Sequence, residues 1–352
     1  MRFRLLFLQG PVGGFFRYLH RYAEREGFSV RRLAFNGGDA LFSIGTDYEL
    51  IHPSLGGYAE AVEPILHNWR PHAIVLFGDE RPLHRAIRAL AEPLGIPVWC
   101  FEEGYIRPDY VTFELGGNNA NSRLLESFDP AAPAAESPGA VPKLPNATRR
   151  MSAAAVLYFT TLHATRFLFP NYRHHRERAL FAEVRYWVRS LYRRARSYNR
   201  DLAVAKRMET DNQSSFFIVA LQIHDDMQLL RHGRGWTTRR FLTMVLDSFQ
   251  RAAPPDCRLV VKAHPLGIGY GHFRKNLRFL VEKRRLGDRV IYLQSGPFGP
   301  LARHARGVVT INSTAGLAAI KDGVPVIAFG DALYHAPGLS PKPNGPEDLD
   351  RF

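Results

Sequence analysis

Residues 73–104, AIVLFGDERPLHRAIRALAEPLGIPVWCFEEG, decide the class of fold to which the chain belongs. The stretch begins with five apolar residues, continues with apolar residues at helical spacing, and ends with a second apolar run before Glu102. Strands that are apolar on both faces are buried on both faces, and helices join them when they run parallel. The stretch therefore predicts a strand–helix–strand unit of a parallel sheet that is covered by helices.

The same alternation of apolar strands and amphipathic helices recurs in both halves of the 352-residue chain. Five strand candidates follow residue 215, and a stretch rich in Pro, Ala and Ser at residues 126–149 reads as a linker. We predict an α/β fold with two Rossmann-like, doubly wound domains, residues 1–150 and 209–352. A basic, amphipathic helical segment at residues 151–208 separates them.

The chain is strongly basic, with 47 Lys and Arg against 33 Asp and Glu and a formal net charge of +14. This excess indicates an anionic partner: a nucleic acid, an anionic membrane surface or a phosphorylated substrate. Cys100 and Cys257 lie in strand-like runs without metal-ligand spacing, which is typical of reduced, buried thiols. Neither a signal peptide nor a membrane-spanning stretch is expected, so we predict a cytoplasmic protein.

The helical segment combines an apolar, aromatic first part with a second part that is rich in arginine. Arginines recur between residues 173 and 200, and Tyr158, Phe167 and Trp187 are among the aromatic side chains of the segment. Basic and aromatic side chains on one helix favour an interfacial helix that binds anionic lipid. A solvated helical face packed on the core and a nucleic-acid-binding patch are the two other interpretations.

Three strand ends in the second domain carry polar side chains, and ligands of open parallel sheets bind beyond the carboxyl ends of the strands. A carboxylate at such an end can act as a base or a nucleophile, and Lys and His bind phosphate groups. We therefore predict a site for a phosphate-containing donor, in which Asp225 or Asp226 supplies the carboxylate and His264 contacts the phosphate. The strand-end residues are Gln222, His224, Asp225 and Asp226, then Lys262, His264 and Pro265, then Asn312, Ser313, Thr314 and Gly316.

The stretch VVTINSTAGLAAI, residues 308–320, has two compatible interpretations. Ser313 or Thr314 can cap a helix that begins near Ala315, and the N–H groups of that first turn, with the helix dipole, can bind an anion. No strand end carries an Asp-x-Asp motif that would hold a metal ion against a diphosphate. We therefore predict a donor with a single phosphate and no requirement for a metal ion or cofactor.

Strand ends in the first domain combine glycine with polar or charged residues. The first of them, QGPVGG, does not match the dinucleotide-binding fingerprint, and tight packing of strand against helix is its alternative interpretation. The charged groups suit the hydroxyl and carboxylate groups of a sugar or a lipid headgroup, whereas a salt-bridged sheet rim is the other interpretation. The candidate acceptor-binding residues are Gly10, Pro11, Asp79, Arg81, Glu102, Glu103, Gly104 and Arg107.

Several stretches together resemble the capsule polysaccharide biosynthesis and export family. Within that family, the resemblance is closest to the single-module transferases of β-Kdo (3-deoxy-D-manno-oct-2-ulosonic acid), which start the poly-Kdo linker of Gram-negative group 2 capsules. The stretches occur in family order between about residues 5 and 340 and include one long, specific string, FEEGYIRPDYVTFE. They are FLQGPVGGFF, FNGGD, LFGDERPLHR, FEEGYIRPDYVTFE, LQIHDDMQ, KAHP and TINSTAGLAAI.

This resemblance implies a GT-B glycosyltransferase, in which two Rossmann-like domains flank a cleft, with CMP-Kdo as the donor. It implies a phosphatidylglycerol or lyso-phosphatidylglycerol acceptor, peripheral attachment to the inner face of the inner membrane, and other capsule assembly enzymes as partners; no nucleic acid is expected. The family motifs fall on Asp226, on His264 and Pro265, and on Ser313 and Thr314 beside Asn312 on the donor side. On the acceptor side they fall on Glu102, Glu103, Gly104 and Arg107.

The resemblance also implies a mechanism, because CMP-Kdo and the product of the family are both β-configured. Retention is achieved by double displacement, with Asp226 as nucleophile and the leaving phosphate stabilised by His264, Lys262 and the helix start at residues 313–316. The chain departs from the family pattern after His-Pro, where it has Leu266-Gly267 instead of a charged pair, and at its end, where the family continues. A transferase of another CMP-sugar and a non-catalytic, membrane-associated component of capsule assembly are the alternatives.

Overall fold

The computed structural model describes residues 2–53, 57–105, 110–129, 145–174, 180–210, 215–223, 226–267, 273–336 and 338–352. The chain forms two compact units, the first unit (Met1–Glu177) and the second unit (Arg178–Phe352). Each unit contains one largely or wholly parallel sheet with helices between its strands. This organisation confirms the predicted α/β class.

The first unit is built on a sheet in which β6 is antiparallel to β5 and the other neighbours are parallel. Its strands are β1 (Arg4–Phe7), β2 (Ser29–Ala34), β3 (Tyr48–Leu50), β4 (Ala73–Phe77), β5 (Val98–Glu103) and β6 (Val111–Leu115). Its helices are α1 (Phe15–Arg25), α2 (Gly37–Leu41), α3 (Tyr58–Trp69), α4 (Pro82–Ala91) and α5 (Ala147–Ala164). The strand order β3-β2-β1-β4-β5-β6 reverses direction between β1 and β4, which is where ligands bind in open α/β sheets.

The central strand β4 shows why the sequence folds in this way. All five of its residues are buried, and alternate side chains enter different apolar clusters. Ile74 packs in the cluster that contains Leu83 of α4, whereas Val75 packs in the cluster that contains Phe16 of α1. The strand–helix–strand prediction for residues 73–104 is confirmed, and β4 and β5 pair in parallel.

The second unit contains a sheet whose neighbouring strands are all parallel, in the order β11-β10-β7-β8-β9. Its strands are β7 (Phe216–Ala220), β8 (Arg258–Lys262), β9 (Val290–Leu293), β10 (Gly307–Thr310) and β11 (Val326–Ala328). Its helices are α6 (Leu180–Thr210), α7 (Met227–His232), α8 (Thr238–Ala252), α9 (Phe273–Lys283), α10 (Phe298–Ala302), α11 (Thr314–Lys321) and α12 (Glu347–Arg351). All five strand candidates are therefore confirmed, and the carboxyl ends of β10, β7 and β8 lie side by side.

The helical region between the two sheets is divided between the units. Tyr158 and Leu162 of α5 are buried in the core of the first unit, whereas Ala205 and Met208 of α6 are buried in the core of the second. The segment predicted at residues 151–208 thus contributes a helix to each unit, because each helix buries a face against a different sheet. The boundary between the units accordingly falls after Glu177.

Asp201 fastens α6 to the carboxyl end of β9. Its side chain is fully buried, and its Oδ2 atom accepts hydrogen bonds from the backbone N–H groups of Gln294 and Ser295 at 2.8 and 3.0 Å. Two backbone donors thus converge on one carboxylate oxygen, and this contact fixes one face of α6 on the sheet. No helix in the described ranges is both long and apolar enough to cross a bilayer.

Candidate functional site

The second unit brings polar side chains from neighbouring strand ends into direct contact. Gln222 follows β7 and Asn312 follows β10, and their side chains are joined by a hydrogen bond from Gln222 Nε2 to Asn312 Oδ1 of 2.7 Å. Gln222 Oε1 in turn accepts from the backbone N–H of Asn312 at 3.1 Å. Asn312 Nδ2 also donates to the carbonyl of Gln228, so the pair is tied to α7. Two of the residues predicted for the donor site therefore form one bonded unit.

Asp226 lies at the N-terminus of α7 and caps that helix. Its backbone is extended, with φ of −67° and ψ of 124°, and its Oδ1 atom accepts a hydrogen bond from Gln228 N at 2.9 Å. The carboxylate is partly exposed, and it binds the N–H of the same residue whose carbonyl Asn312 binds. This hydrogen bond orients the carboxylate at the edge where β7 ends. His224 and Asp225, which precede it, lie outside the described residues.

The residues after β8 occupy different environments. Lys262 is only 5% exposed, its Nζ atom donates to the carbonyl of Ala263 at 3.4 Å, and burial lowers its pKa to about 8, against the opposing effect of Asp201. His264 is half-buried, and its carbonyl accepts from Gly267 N at 2.8 Å in the short 3-10 turn Pro265–Gly267. Pro265 is exposed. The structure thus places His264 at the surface of the strand end and the Lys262 ammonium in the interior.

The helix α11 begins where the sequence predicts it, and Ser313 is its cap. The Ser313 Oγ atom accepts from Ala315 N at 3.2 Å, and Gly316 N donates to the Ser313 carbonyl at 2.9 Å. These two bonds occupy the N–H groups of Ala315 and Gly316, which would otherwise be donors for the predicted anion. Gly316 has a packing role, because a Cβ at that position would overlap the hydroxyl of Tyr334.

Arg81 and Glu102 converge in the first unit, over the glycine that ends β4. Gly78 has a φ of +79°, and a Cβ built on it would lie 3.1 Å from Arg81 Nε and 3.4 Å from Glu102 Oε2. Burial raises the pKa of Glu102 to about 7; the N–H of Glu103 and the charge of Arg81 oppose that rise, while the charges of Glu103 and Asp79 add to it. A guanidinium and a carboxyl that titrates near neutral pH therefore flank this space.

The other residues of the first unit that were predicted to bind the acceptor make hydrogen bonds within the protein. Asp79 is fully buried, and its Oδ2 atom accepts from Asn118 N at 3.2 Å and from Asn121 Nδ2 at 2.8 Å, which anchors the segment after β6. Glu103 is exposed and donates its N–H to Glu102 Oε1 at 3.0 Å. Gly104 N donates to the Tyr110 carbonyl at 2.9 Å, and a Cβ there would overlap the Tyr110 backbone.

Gly10 and Pro11 follow β1, and Gly10 lies beside Arg81. The Gly10 carbonyl accepts from Arg81 Nη1 at 3.1 Å, and a Cβ on Gly10 would overlap the ring of Phe16, so this glycine also permits tight packing of α1. Pro11 is half-buried. Arg107 lies outside the described residues. Within the described ranges, no group of three or more His, Cys, Asp or Glu side chains is arranged to hold a metal ion.

Sequence reasoning missed the side chain of Gln9 and the buried polar cluster around it. Gln9 is 3% exposed, and its Oε1 atom accepts from Arg81 Nη1 at 3.0 Å. Its Nε2 atom donates to Asp39 and to Tyr172, which come from distant parts of the chain. The position of Gln9 at the end of β1 was a usable signal, whereas nothing in the sequence linked it to Tyr172.

A cavity of about 320 Å³ in the second unit lies away from these strand ends. It is lined by residues that include Phe217 and Leu259 near the beginnings of β7 and β8, and Phe352 at the end of the chain. Because ligands of parallel sheets bind at the carboxyl ends of the strands, this cavity is not the candidate donor site.

Most of the chain is similar to one known protein family. The family model described as capsule polysaccharide biosynthesis protein matches residues 72–347. The chain belongs to this family. It is 33% identical over 339 residues to the capsule polysaccharide export protein KpsS of Escherichia coli, a match that covers 96% of this chain and 87% of that protein. The predicted family resemblance is therefore confirmed.

A second relative and a solved structure also align with most of the chain. The capsule polysaccharide modification protein LipB of Neisseria meningitidis serogroup A is 34% identical over 352 residues, covering 96% of this chain and 82% of that protein. The β-Kdo 2,4 transferase KpsC of Thermosulfurimonas dismutans aligns with 99% of this chain and 86% of that chain, at 12% identity and a TM-score of 0.47. The family assignment rests on the sequence matches.

The raised pKa of Glu102 predicts how the stability of the protein changes with pH. Its pKa is higher in the fold than in the unfolded chain, so its contribution is fully present below about pH 4.5 and is lost as the pH rises through about 7. Glu102→Gln removes this titration. As the pH rises from 5 to 8, the free energy of unfolding of the variant should increase relative to that of the unchanged protein, by on the order of 1–3 kcal/mol. Urea unfolding at both pH values measures this difference, and a difference that stays constant across the range contradicts the raised pKa.

Proposed function

We propose that this protein is a retaining β-Kdo glycosyltransferase that transfers Kdo from CMP-β-Kdo to phosphatidylglycerol or lyso-phosphatidylglycerol. This would be the first step of a capsule poly-Kdo linker. The observation that carries the proposal is the bonded set at the carboxyl ends of β7 and β10, which connects Gln222 and Asn312 to the helix that Asp226 caps. Family membership supports the biological setting.

In the proposed first step, Asp226 attacks the anomeric carbon of Kdo and the bond from that carbon to the phosphate oxygen breaks. CMP leaves with the electron pair, and a glycosyl ester forms on the Asp226 carboxylate. The half-buried His264 and the start of α11, with the hydroxyls of Ser313 and Thr314, stabilise charge on the leaving phosphate. Lys262 acts over a longer range, because its ammonium lies in the interior.

In the second step, the acceptor hydroxyl attacks the same carbon and releases Asp226, which restores the original configuration. Arg81 suits the phosphodiester of the acceptor, because a guanidinium pairs with two phosphate oxygens at once. Glu102, whose pKa burial raises to about 7, suits a hydroxyl group of the acceptor glycerol, and the attacking hydroxyl gives its proton to water. The proposal requires no metal ion for charge stabilisation.

The basic helix α6 supports attachment to an anionic membrane surface. Val184, Trp187, Val188 and Leu191 recur at helical spacing, and each is 47% exposed or more. Arginines lie beside this apolar row, at residues 185, 189 and 196 among others. An apolar stripe flanked by arginines binds the interface of a bilayer that contains anionic lipid. We therefore propose peripheral association with the cytoplasmic face of the inner membrane.

The nucleophile is tested by Asp226→Asn. Asparagine caps a helix as well as aspartate does, so the variant should keep its melting temperature, whereas transfer from CMP-Kdo should fall by at least about a thousandfold. Thr237→Ala is a matched control, because Thr237 caps α8 in the same unit through a 3.2 Å bond from Arg240 N and has no proposed chemical role. If Asp226→Asn transfers Kdo at a rate similar to that of the control, Asp226 is not the nucleophile.

The membrane surface is tested by Trp187→Ser combined with Leu191→Ser. Both side chains are exposed, so the fold should be retained while the affinity for phosphatidylglycerol vesicles falls by roughly tenfold or more, because apolar burial in the bilayer is lost. Phe279→Ser is the control, since Phe279 is 61% exposed on α9. Vesicle co-sedimentation measures binding, and equal loss in both variants contradicts the assignment of this surface.

A further inference from the structure

The Arg81 guanidinium is held in place by the buried amide of Gln9 together with the carbonyl of Gly10. Arg81 itself is partly exposed, but its Nη1 atom donates to Gln9 Oε1 at 3.0 Å and to the Gly10 carbonyl at 3.1 Å. Its Cζ atom lies 5.7 Å from the ring centre of Phe77. One edge of the guanidinium is thus bound to the protein, while Nε lies beside the space over Gly78.

The orientation of the Gln9 amide is dictated by Asp39. Gln9 Nε2 donates to Asp39 Oδ2 at 2.9 Å. The same carboxylate accepts from Asn36 Nδ2 at 2.8 Å, from Phe35 N at 3.2 Å and, through Oδ1, from the Tyr158 hydroxyl at 2.9 Å. A carboxylate surrounded by donors accepts only, so Gln9 must turn its NH2 group to Asp39 and its oxygen to Arg81. The opposite orientation would set donor against donor at Arg81 and acceptor against acceptor at Asp39.

The surroundings of Asp39 keep this arrangement rigid. Burial raises the pKa of Asp39, and hydrogen bonds from Gln9 and Tyr158 oppose that rise, as does the charge of Arg32. Asp39 belongs to α2, whereas Tyr158 belongs to α5 and Tyr172 lies beyond it; the Tyr172 hydroxyl accepts from Gln9 Nε2 at 3.0 Å. The amide is therefore fixed by elements that are far apart in the sequence.

We propose that Gln9 is a positioning residue, which presents Arg81 to the phosphate group of the acceptor in one fixed orientation. The inference rests on the proposed acceptor site and adds that Gln9 orients the arginine of that site. An arginine side chain loses considerable rotamer freedom when it binds a ligand from a mobile state, and an arginine that is already fixed loses less. The benefit of Gln9 is therefore expected in the affinity for a phosphate ester.

The main test compares Gln9→Met with Gln9→Glu, using glycerol phosphate as the probe so that no sugar transfer is needed. Methionine has a similar length but lacks the amide that donates to Asp39 and accepts from Arg81, so Arg81 keeps only its bond to the Gly10 carbonyl and becomes more mobile. We expect the Kd for glycerol phosphate to rise roughly tenfold, which corresponds to one charged hydrogen bond. The nitrogen-bound proton signals of the Arg81 guanidinium, assigned by their absence in Arg81→Lys, should broaden in the NMR spectrum.

Gln9→Glu is the conservative variant and should preserve both readouts. Two carboxyl groups in close contact cannot both ionise, so the introduced carboxyl group and that of Asp39 would share one proton in their mutual hydrogen bond. The other oxygen of the introduced carboxyl group would still accept from Arg81. Gln9→Glu adds a buried acidic group. If the role of Gln9 were purely structural, this substitution would not be expected to preserve phosphate binding.

Ser43→Ala is the control for loss of stability. The Ser43 hydroxyl donates to the Asp39 carbonyl at 2.6 Å, so this variant weakens the same buried region without touching the Gln9 amide. It should lower the melting temperature and leave the Kd unchanged. If Gln9→Met does not fold, Gln9→Asn replaces it, because the shorter amide cannot reach Asp39 and Arg81 together.

The outcomes separate this inference from the proposed function. A raised Kd and broadened Arg81 signals in Gln9→Met, with both normal in Gln9→Glu and Ser43→Ala, support the positioning role even if Kdo transfer is absent. An unchanged Kd in Gln9→Met, an equal loss in Gln9→Glu, or no binding of glycerol phosphate to the unchanged protein overturns it.

Discussion

The structure depends on one constraint: its central strands are apolar on both faces and must be covered on both faces. In β4 every residue is buried, and neighbouring side chains pack against different helices. Strands of this kind are connected by crossover helices, which makes them parallel and brings their carboxyl ends to one edge. The polar residues that follow each strand are thereby collected at that edge without any specific attraction between them.

Much of this organisation could be predicted from the sequence, because apolar runs separated by helical periodicity carry a strong signal. The five strands of the second unit and the central strands of the first were found in this way. β6 was not, because it is a short edge strand with an alternating, largely exposed pattern, and it pairs antiparallel. The division of the helical region at Glu177 was also missed, since periodicity shows that a helix has a buried face but not which sheet covers it.

Contacts between single residues of the candidate sites could not be predicted where they depend on the order of the strands or on distant elements. Strand ends predicted the polar residues of the donor site, but the bonded pair of Gln222 and Asn312 depends on β7 and β10 being neighbours, which is a property of the sheet order. Burial of the Lys262 side chain depends on α6, which covers that face of the sheet. The cluster around Gln9 joins residues up to 163 positions apart, so no local pattern could have revealed it.

The central proposal is that this protein moves Kdo from CMP-Kdo to a phosphatidylglycerol headgroup. The most direct measurement is incubation of the protein with CMP-Kdo and a fluorescent phosphatidylglycerol analogue, followed by mass spectrometry of the lipid. We expect a lipid that has gained the mass of Kdo, together with release of CMP. Unmodified lipid in the presence of intact, folded protein and both substrates would contradict it.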